Sequence, residues 1–235
     1  MALSALPPAG EKAAAVREMF DRIAPRYDRL NRLLTLRMDR RWRRLAVAAT
    51  GLGPGRLAVD VACGTGDLSE LAAATGARVV AVDFAANMLA GARRRRVPAA
   101  LVRGDAAALP LVAGCADAVT CGFALRNVTA IPPVLREAAR VLRPGGRLAI
   151  LEVAEPERPL LRWAHGLYFH RIVPLVGALL ADRRAYAYLP QSASYLPGPE
   201  ALRAAVAAAG FRDVRRRLLG AGAVQLLTAV REEGA

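Results

Sequence analysis

The run Val59-Asp60-Val61-Ala62-Cys63-Gly64-Thr65-Gly66-Asp67-Leu68 passes from an apolar strand through a glycine loop into a helical segment. Glycine lets the backbone come close to a ligand, and a helix start offers unpaired N–H groups to an anion. Such a loop serves many Rossmann-type sites, NAD enzymes included, but the third glycine of the dinucleotide fingerprint is Ser69 here. Three acids narrow the chemistry. Asp60, at the end of the first strand beside the loop, would repel a pyrophosphate and attract an ammonium group. Asp83 ends the second strand, where a carboxylate can accept from both hydroxyls of a ribose. Asp105, in Gly104-Asp105-Ala106 after the third strand, can accept from an exocyclic amine such as that of adenine. A single strand-end aspartate often only caps a helix. Three at one crevice edge suit a cationic sulfonium compound, S-adenosylmethionine, better than a polyanionic ligand.

Positioning three strand-end acids requires a parallel sheet. From Arg56 onward, short apolar runs alternate with helical ones, the signature of strands joined by crossover helices. Strands are expected at about 57–62, 78–83, 100–104, 118–122 and 148–153, with helices near 68–74, 87–95 and 133–142. Pro144, Gly145 and Gly146 read as a helix stop and turn. Gly198 and Pro199 open a helix that stops at Gly210, and runs at 214–219 and 223–230 would close the sheet as a final pair. Before the first strand, Val16, Met19, Phe20, Ile23, Tyr27 and Leu30 form one apolar helical stripe, which Pro25 should break or kink. The next helix sets Trp42 and Leu45 among Arg40, Arg41, Arg43 and Arg44, and is read as Trp packed on the sheet with arginines in water. Residues 160–189 are aromatic and too long for a plain crossover. The expected organisation is a tail and covering helices over 1–50 and a catalytic domain over 51–235, with a lid insertion at about 155–197.

Composition bounds the rest. With 235 residues, 54% of them hydrophobic, the chain can bury one sizeable core. Its N-terminal stretch has no basic start followed by an apolar run, so no secretory signal is read. Arg162, His165, His170 and Arg171 interrupt the longest apolar stretch, which excludes a spanning helix. Cys63, Cys115 and Cys121 form no Cys-x-x-Cys pair, which points to reduced thiols in a cytoplasmic protein and to no metal. The net charge of +14 invites a nucleic-acid reading. Lys12 is the only lysine, however, and arginine written throughout by a GC-rich genome explains the charge better. No nucleic-acid partner is expected.

With these residues in view, the chain resembles the ubiquinone/menaquinone biosynthesis C-methyltransferase family from about Val16 to its end. The resemblance rests on Met19-Phe20-Asp21, Tyr27-Asp28, Trp42-Arg43-Arg44, the glycine loop, Gly104-Asp105-Ala106, Leu125-Arg126-Asn127-Val128, residues 141–148 and Tyr186-Ala187-Tyr188-Leu189. It implies a Rossmann-like, class I α/β methyltransferase with a mostly parallel seven-stranded sheet, helices on both faces, a helical N-terminal extension and a lid. It also implies that Thr65 holds the methionine end of S-adenosylmethionine, Asp83 the ribose, and Asp105 with Ala106 the adenine, while Gly64 and Gly66 are the loop glycines expected to bring the backbone close to the cofactor. Four positions depart from the family: Gly122 replaces a serine, Val153-Ala154 replaces Phe-Ser, and Leu227 replaces a histidine. Gly122 keeps only backbone groups for the cofactor.

The implied reaction is methylation of a ring carbon beside a phenolic hydroxyl of a prenylated quinol in menaquinone biosynthesis. Losing the phenolic proton, of pKa about 10 in a tyrosine-like ring, pushes electron density onto that carbon. Arg126 is the first candidate to stabilise the developing charge, with Asn127 orienting the ring or a water. Tyr27, His165 and His170 are candidate proton acceptors. A lipid-tailed acceptor would bring the protein to the inner membrane surface, where basic charge favours anionic lipid. The oligomeric state is left open, a homodimer included. The competing readings are a methyltransferase acting on a soluble phenol or polyketide, an NAD-dependent oxidoreductase and a basic nucleic-acid-binding protein.

Overall fold

The computed structural model describes residues 9–168, 171 and 192–233. Its strands are β1 (Leu57–Val61), β2 (Arg78–Asp83), β3 (Ala100–Arg103), β4 (Ala116–Gly122), β5 (Leu142–Val153), β6 (Phe211–Leu219) and β7 (Val224–Arg231). They form one seven-stranded sheet in the order β3-β2-β1-β4-β5-β7-β6. The first five strands run parallel, and β7 is antiparallel to both β5 and β6. This is the mostly parallel, Rossmann-like sheet that the alternation of apolar and helical runs requires.

Both faces of the sheet are covered. On one lie α5 (Ile131–Val141) and α7 (Pro199–Ala208), whose Leu135 and Leu202 pack with Val59 and Val61 of β1. On the other lie α2 (Met38–Thr50) and α3 (Asp67–Ala73), whose Trp42 and Leu68 pack with Ala58. Side chains alternate between faces along a strand, so Asp60 shares the α2/α3 face with Ala58. In α2, Trp42 is buried and Arg40, Arg41 and Arg44 are exposed, as its pattern predicts. Arg43 departs from the pattern and is buried.

Besides shifts of one to three residues at other ends, two elements depart from the sequence reading. Helix α1 (Ala9–Leu34) runs on through Pro25. An interior proline costs about 3 kcal/mol of helix stability, and burial of Val16, Met19, Ile23 and Ala24 against Ala85 and Met88 offsets it. Strand β5 begins at Leu142, upstream of the expected 148, because Pro144, Gly145 and Gly146 form an irregularity in the strand rather than a turn before it. Ala116 pairs with Leu142 and Ala118 with Arg147, so the intervening residues loop out of register. Gly146 permits this, since a Cβ there would meet the Arg143 carbonyl oxygen at 2.8 Å.

The connections carry α4 (Ala86–Arg94) after β2 and α6 (Pro159–Leu167) after β5. The part of the expected lid at 172–191, with Tyr186-Ala187-Tyr188-Leu189, lies outside the described residues, as does His170. Among the described residues no helix is long and apolar enough to cross a membrane.

Candidate functional site

Strand order reverses between β1 and β4, and open α/β sheets bind ligands at the carboxyl ends of strands flanking such a switch. A cavity of about 310 Å³ opens there, with Ala62, Asp83, Gly104 and Gly122 in its lining. Two residues that leave these strand ends adopt left-handed backbone without being glycine: Ala62 (φ 53°) after β1 and Phe123 (φ 59°) after β4. Such conformations cost on the order of 1 kcal/mol each. Here both residues line the cavity.

Asp83 is buried at the tip of β2, on the cavity wall. Its Oδ2 accepts from the Gly64 N–H at 2.8 Å and its Oδ1 from the Ala85 N–H at 2.9 Å. The carboxylate thereby ties the glycine loop to the start of α4, and spare lone pairs remain. Burial pushes its pKa up, against the pull of those two N–H groups. Asp105 is exposed on the opposite rim and accepts from the Ala107 N–H at 2.8 Å. Ala106 lies beside it in the lining.

The structure brings Gly64, Asp83, Asp105, Ala106, Gly122 and Asn127 to one cavity. Asp60 is not in the lining. It sits behind the loop, 1% exposed, with Ser69 Oγ donating to one oxygen at 2.5 Å and Thr120 Oγ1 to the other at 2.8 Å. Strand alternation aims Asp60 at a sheet face, whereas Asp83 is the last residue of its strand. Burial pushes the Asp60 carboxyl up to about 6, opposed by the two hydroxyls and by Arg43.

Thr65 and Gly66 also lie off the lining. The Thr65 hydroxyl accepts from Arg95 at 3.2 Å, and its methyl would stand 3.1 Å from a Cβ on Gly91. A Cβ on Gly66 would meet Val97 at 2.8 Å, so close packing requires that glycine.

Arg126, expected at the reacting ring, is buried and absent from the lining. It is ion-paired with Glu152, which is fully buried, and donates to the Phe123 carbonyl at 2.9 Å. Asn127 does reach the cavity. Its Nδ2 donates to the same carbonyl at 3.3 Å, while its Oδ1 is buried without a partner. Tyr27 lies in α1, but its side chain is outside the described ones.

Sequence reasoning missed the apolar wall of Phe20, Phe84, Met88, Val128 and Pro133. The signal was in the Met19-Phe20-Asp21 segment: Phe20 lines the cavity while Asp21 accepts from the Asn87 N–H at 2.9 Å at the start of α4. Arg43 was also missed. It lies 3.8 and 3.7 Å from Asp39 and Asp67 and over the Phe123 ring at 5.4 Å. Of the family departures, Leu227 is a core residue, and neither it nor Val153 lines the cavity. Gly122 does, and a Cβ there would meet Leu68 at 2.8 Å. Burial raises the Cys63 and Cys121 thiols, which keeps both protonated. Among the described residues no group of His, Cys, Asp and Glu is placed to hold a metal ion.

Known proteins share this architecture. A methyltransferase of Thermotoga maritima, described as S-adenosylmethionine-dependent, superposes with TM-score 0.65 at 20% identity, covering 92% of this chain and all of that one. Magnesium protoporphyrin IX methyltransferase of Synechocystis, solved with S-adenosylhomocysteine, gives TM-score 0.66 at 20% identity, with 93% and 99% covered. In sequence the likeness is nearer. A demethylmenaquinone methyltransferase of Roseiflexus is 47% identical, covering 98% of this chain and 99% of its own. One from Thermus thermophilus is 47% identical over 87% and 96%. The family model spans residues 9–231, from the helix that supplies Phe20 through the last strand of the sheet, and the chain belongs to the ubiE/COQ5 methyltransferase family.

Proposed function

We propose that this chain transfers a methyl group from S-adenosylmethionine to a ring carbon of a prenylated quinol, converting demethylmenaquinol to menaquinol. The observation that carries the reading is the meeting of Asp83, Asp105 and Asn127 at one largely apolar cavity. The names of the relatives support the same acceptor.

The donor set fits the cofactor. Asp83 would accept from the ribose hydroxyls, Asp105 and Ala106 would meet the adenine, and the backbone of Gly64 and Gly122 would face the methionine end. Thr65, Gly66 and Asp60 would contribute from behind, by holding the loop. When bound, S-adenosylmethionine supplies an electrophilic methyl group. What the chain must add is an activated, aimed carbon. Positioning alone can supply roughly 7 to 11 kcal/mol in favourable cases, so no strong base is needed.

Asn127 is the proposed catalytic residue: its side chain lines the cavity, and turning it would bring the buried, unpartnered Oδ1 to a quinol hydroxyl and fix the ring. The phenolic proton is then released to water, which raises electron density at the adjacent carbon; that carbon takes the methyl group and afterwards loses its own proton to water, which restores the aromatic ring. Arg126 is a positioning residue in this scheme. Through Glu152 and the Phe123 carbonyl it sets the turn that presents Asn127. Tyr27, seven residues after Phe20 in α1, is kept as a candidate proton acceptor.

A labelled-methyl assay tests the reading. Demethylmenaquinol should acquire label on carbon in its reduced form and none when oxidised. Label passing instead to soluble phenols would assign the enzyme to another substrate class.

A further inference from the structure

We infer that α6 and the corner between α1 and α2 form one docking face for a bilayer surface carrying anionic lipid. The inference rests on the quinol reading above and names where such an acceptor would be delivered.

Among the described residues seven large apolar side chains are exposed, and six of them fall in these two segments. Leu160 (76% exposed), Trp163 (68%) and Leu167 recur at three- and four-residue steps along α6, so they share one stripe. Leu33, Leu36 (74% exposed) and Met38 form the corner. Tyr168, just past α6, donates its hydroxyl to the Leu34 carbonyl at 2.6 Å, so the two segments adjoin. Exposed apolar side chains scattered singly need no explanation, but clustered ones mark an interaction site.

Charge selects the occupant. Exposed Arg37, Arg40 and Arg41 follow the corner, and around α6 the exposed Arg158, Arg162 and Arg171 outnumber the exposed Glu155 and Glu157. Apolar side chains with a tryptophan, framed by arginines, match the boundary between acyl chains and anionic headgroups. Helix α6 has nine residues, whereas a span needs about 20, so it would lie on the surface.

The face also leads to the site. Leu34 and Tyr168 pack in the same cluster as Phe20, Phe84 and Met88, and the last three line the cavity. A prenyl tail leaving the leaflet would meet apolar side chains from the corner to the cavity wall.

The test is flotation of the full chain with vesicles of phosphatidylcholine alone or mixed with phosphatidylglycerol. The native protein should float with the mixed vesicles, and a Leu160→Ser, Trp163→Ser double variant should partition about tenfold less, from the apolar area lost. Both proteins should methylate a detergent-free, short-tailed demethylmenaquinol equally. A native protein that stays in solution, or a variant that floats as well as the native chain, overturns the inference. So does a native dimer that the double substitution converts to a monomer, since the face would then join two copies. Failure to methylate any quinol would overturn the functional reading instead, and flotation would still report on the face.

Discussion

Arg126 is ion-paired with Glu152 out of contact with the cavity, while its chain neighbour Asn127 lines it. The pair is nearly inaccessible to water: the Arg126 side chain is 6% exposed and that of Glu152 fully buried. Glu152 Oε1 also accepts from the Val153 N–H at 2.8 Å. One carboxylate therefore joins the end of β5 to the turn after β4.

Removing one member of a buried pair strands the other charge, at a cost of about 3 to 5 kcal/mol. Glu152→Ala should lower the thermal midpoint accordingly. Arg126→Ala should also displace Asn127, and a misplacement of about 1 Å can cost a hundredfold in rate. Turnover should fall while cofactor affinity stays near native, read by single-turnover kinetics beside calorimetry. Native turnover in Arg126→Ala would remove it as a positioning residue.

Asp60 gives a pH dependence of defined sign. Its folded pKa of about 6 lies above the ordinary carboxylate value. The folded state thus holds a proton that the unfolded state has released between roughly pH 4 and 6. Stability from this group is greatest at low pH and is lost as pH rises through 6, by about 3 kcal/mol at most. Asp60→Asn should exceed the native protein in denaturant stability above pH 6, and the gap should close towards pH 4. A gap that widens on acidification would contradict the assignment.

Lys12 donates to the Val128 carbonyl at 2.7 Å and stands over the Tyr195 ring at 3.6 Å, which clasps α1 to the cavity wall. Hydrogen bonds to charged groups are worth about 1.5 to 3 kcal/mol, so Lys12→Ala should cost that much and raise the acceptor KM more than it lowers kcat. Lys12→Arg should not restore the clasp, because a planar guanidinium cannot replace a compact ammonium in this space. Native KM values in both variants would show the clasp to be dispensable.

Much of this was legible in the sequence, for physical reasons that also mark the limit. Buried parallel strands are short, largely apolar and bounded by turns, so β1, β2 and β4 could be read from the sequence, and the edge strand β3 from its Ala-Leu-Val run. The glycine loop and the tips of β2 and β3 follow from them, which placed Asp83 and Asp105. Asp60 looks equivalent in sequence, yet the two-residue alternation of a strand sends it to the α2/α3 face and the loop hides it. Arg43 and Arg126 look like surface arginines because the acids that bury them, Asp39, Asp67 and Glu152, lie on elements whose packing no local pattern reveals. Phe20 and Met88 read as ordinary helix stripe until α1 is set against α4.

Calorimetric titration would show whether acids at neighbouring strand tips hold S-adenosylmethionine. The native chain should bind S-adenosylmethionine and give no heat with NAD. Asp83→Asn, which loses charge-assisted hydrogen bonds worth about 1.5 to 3 kcal/mol, should weaken Kd at least tenfold, by about 1.4 kcal/mol or more. Equal affinity in native and Asp83→Asn proteins, or saturable binding of NAD in the same cavity, would contradict the account.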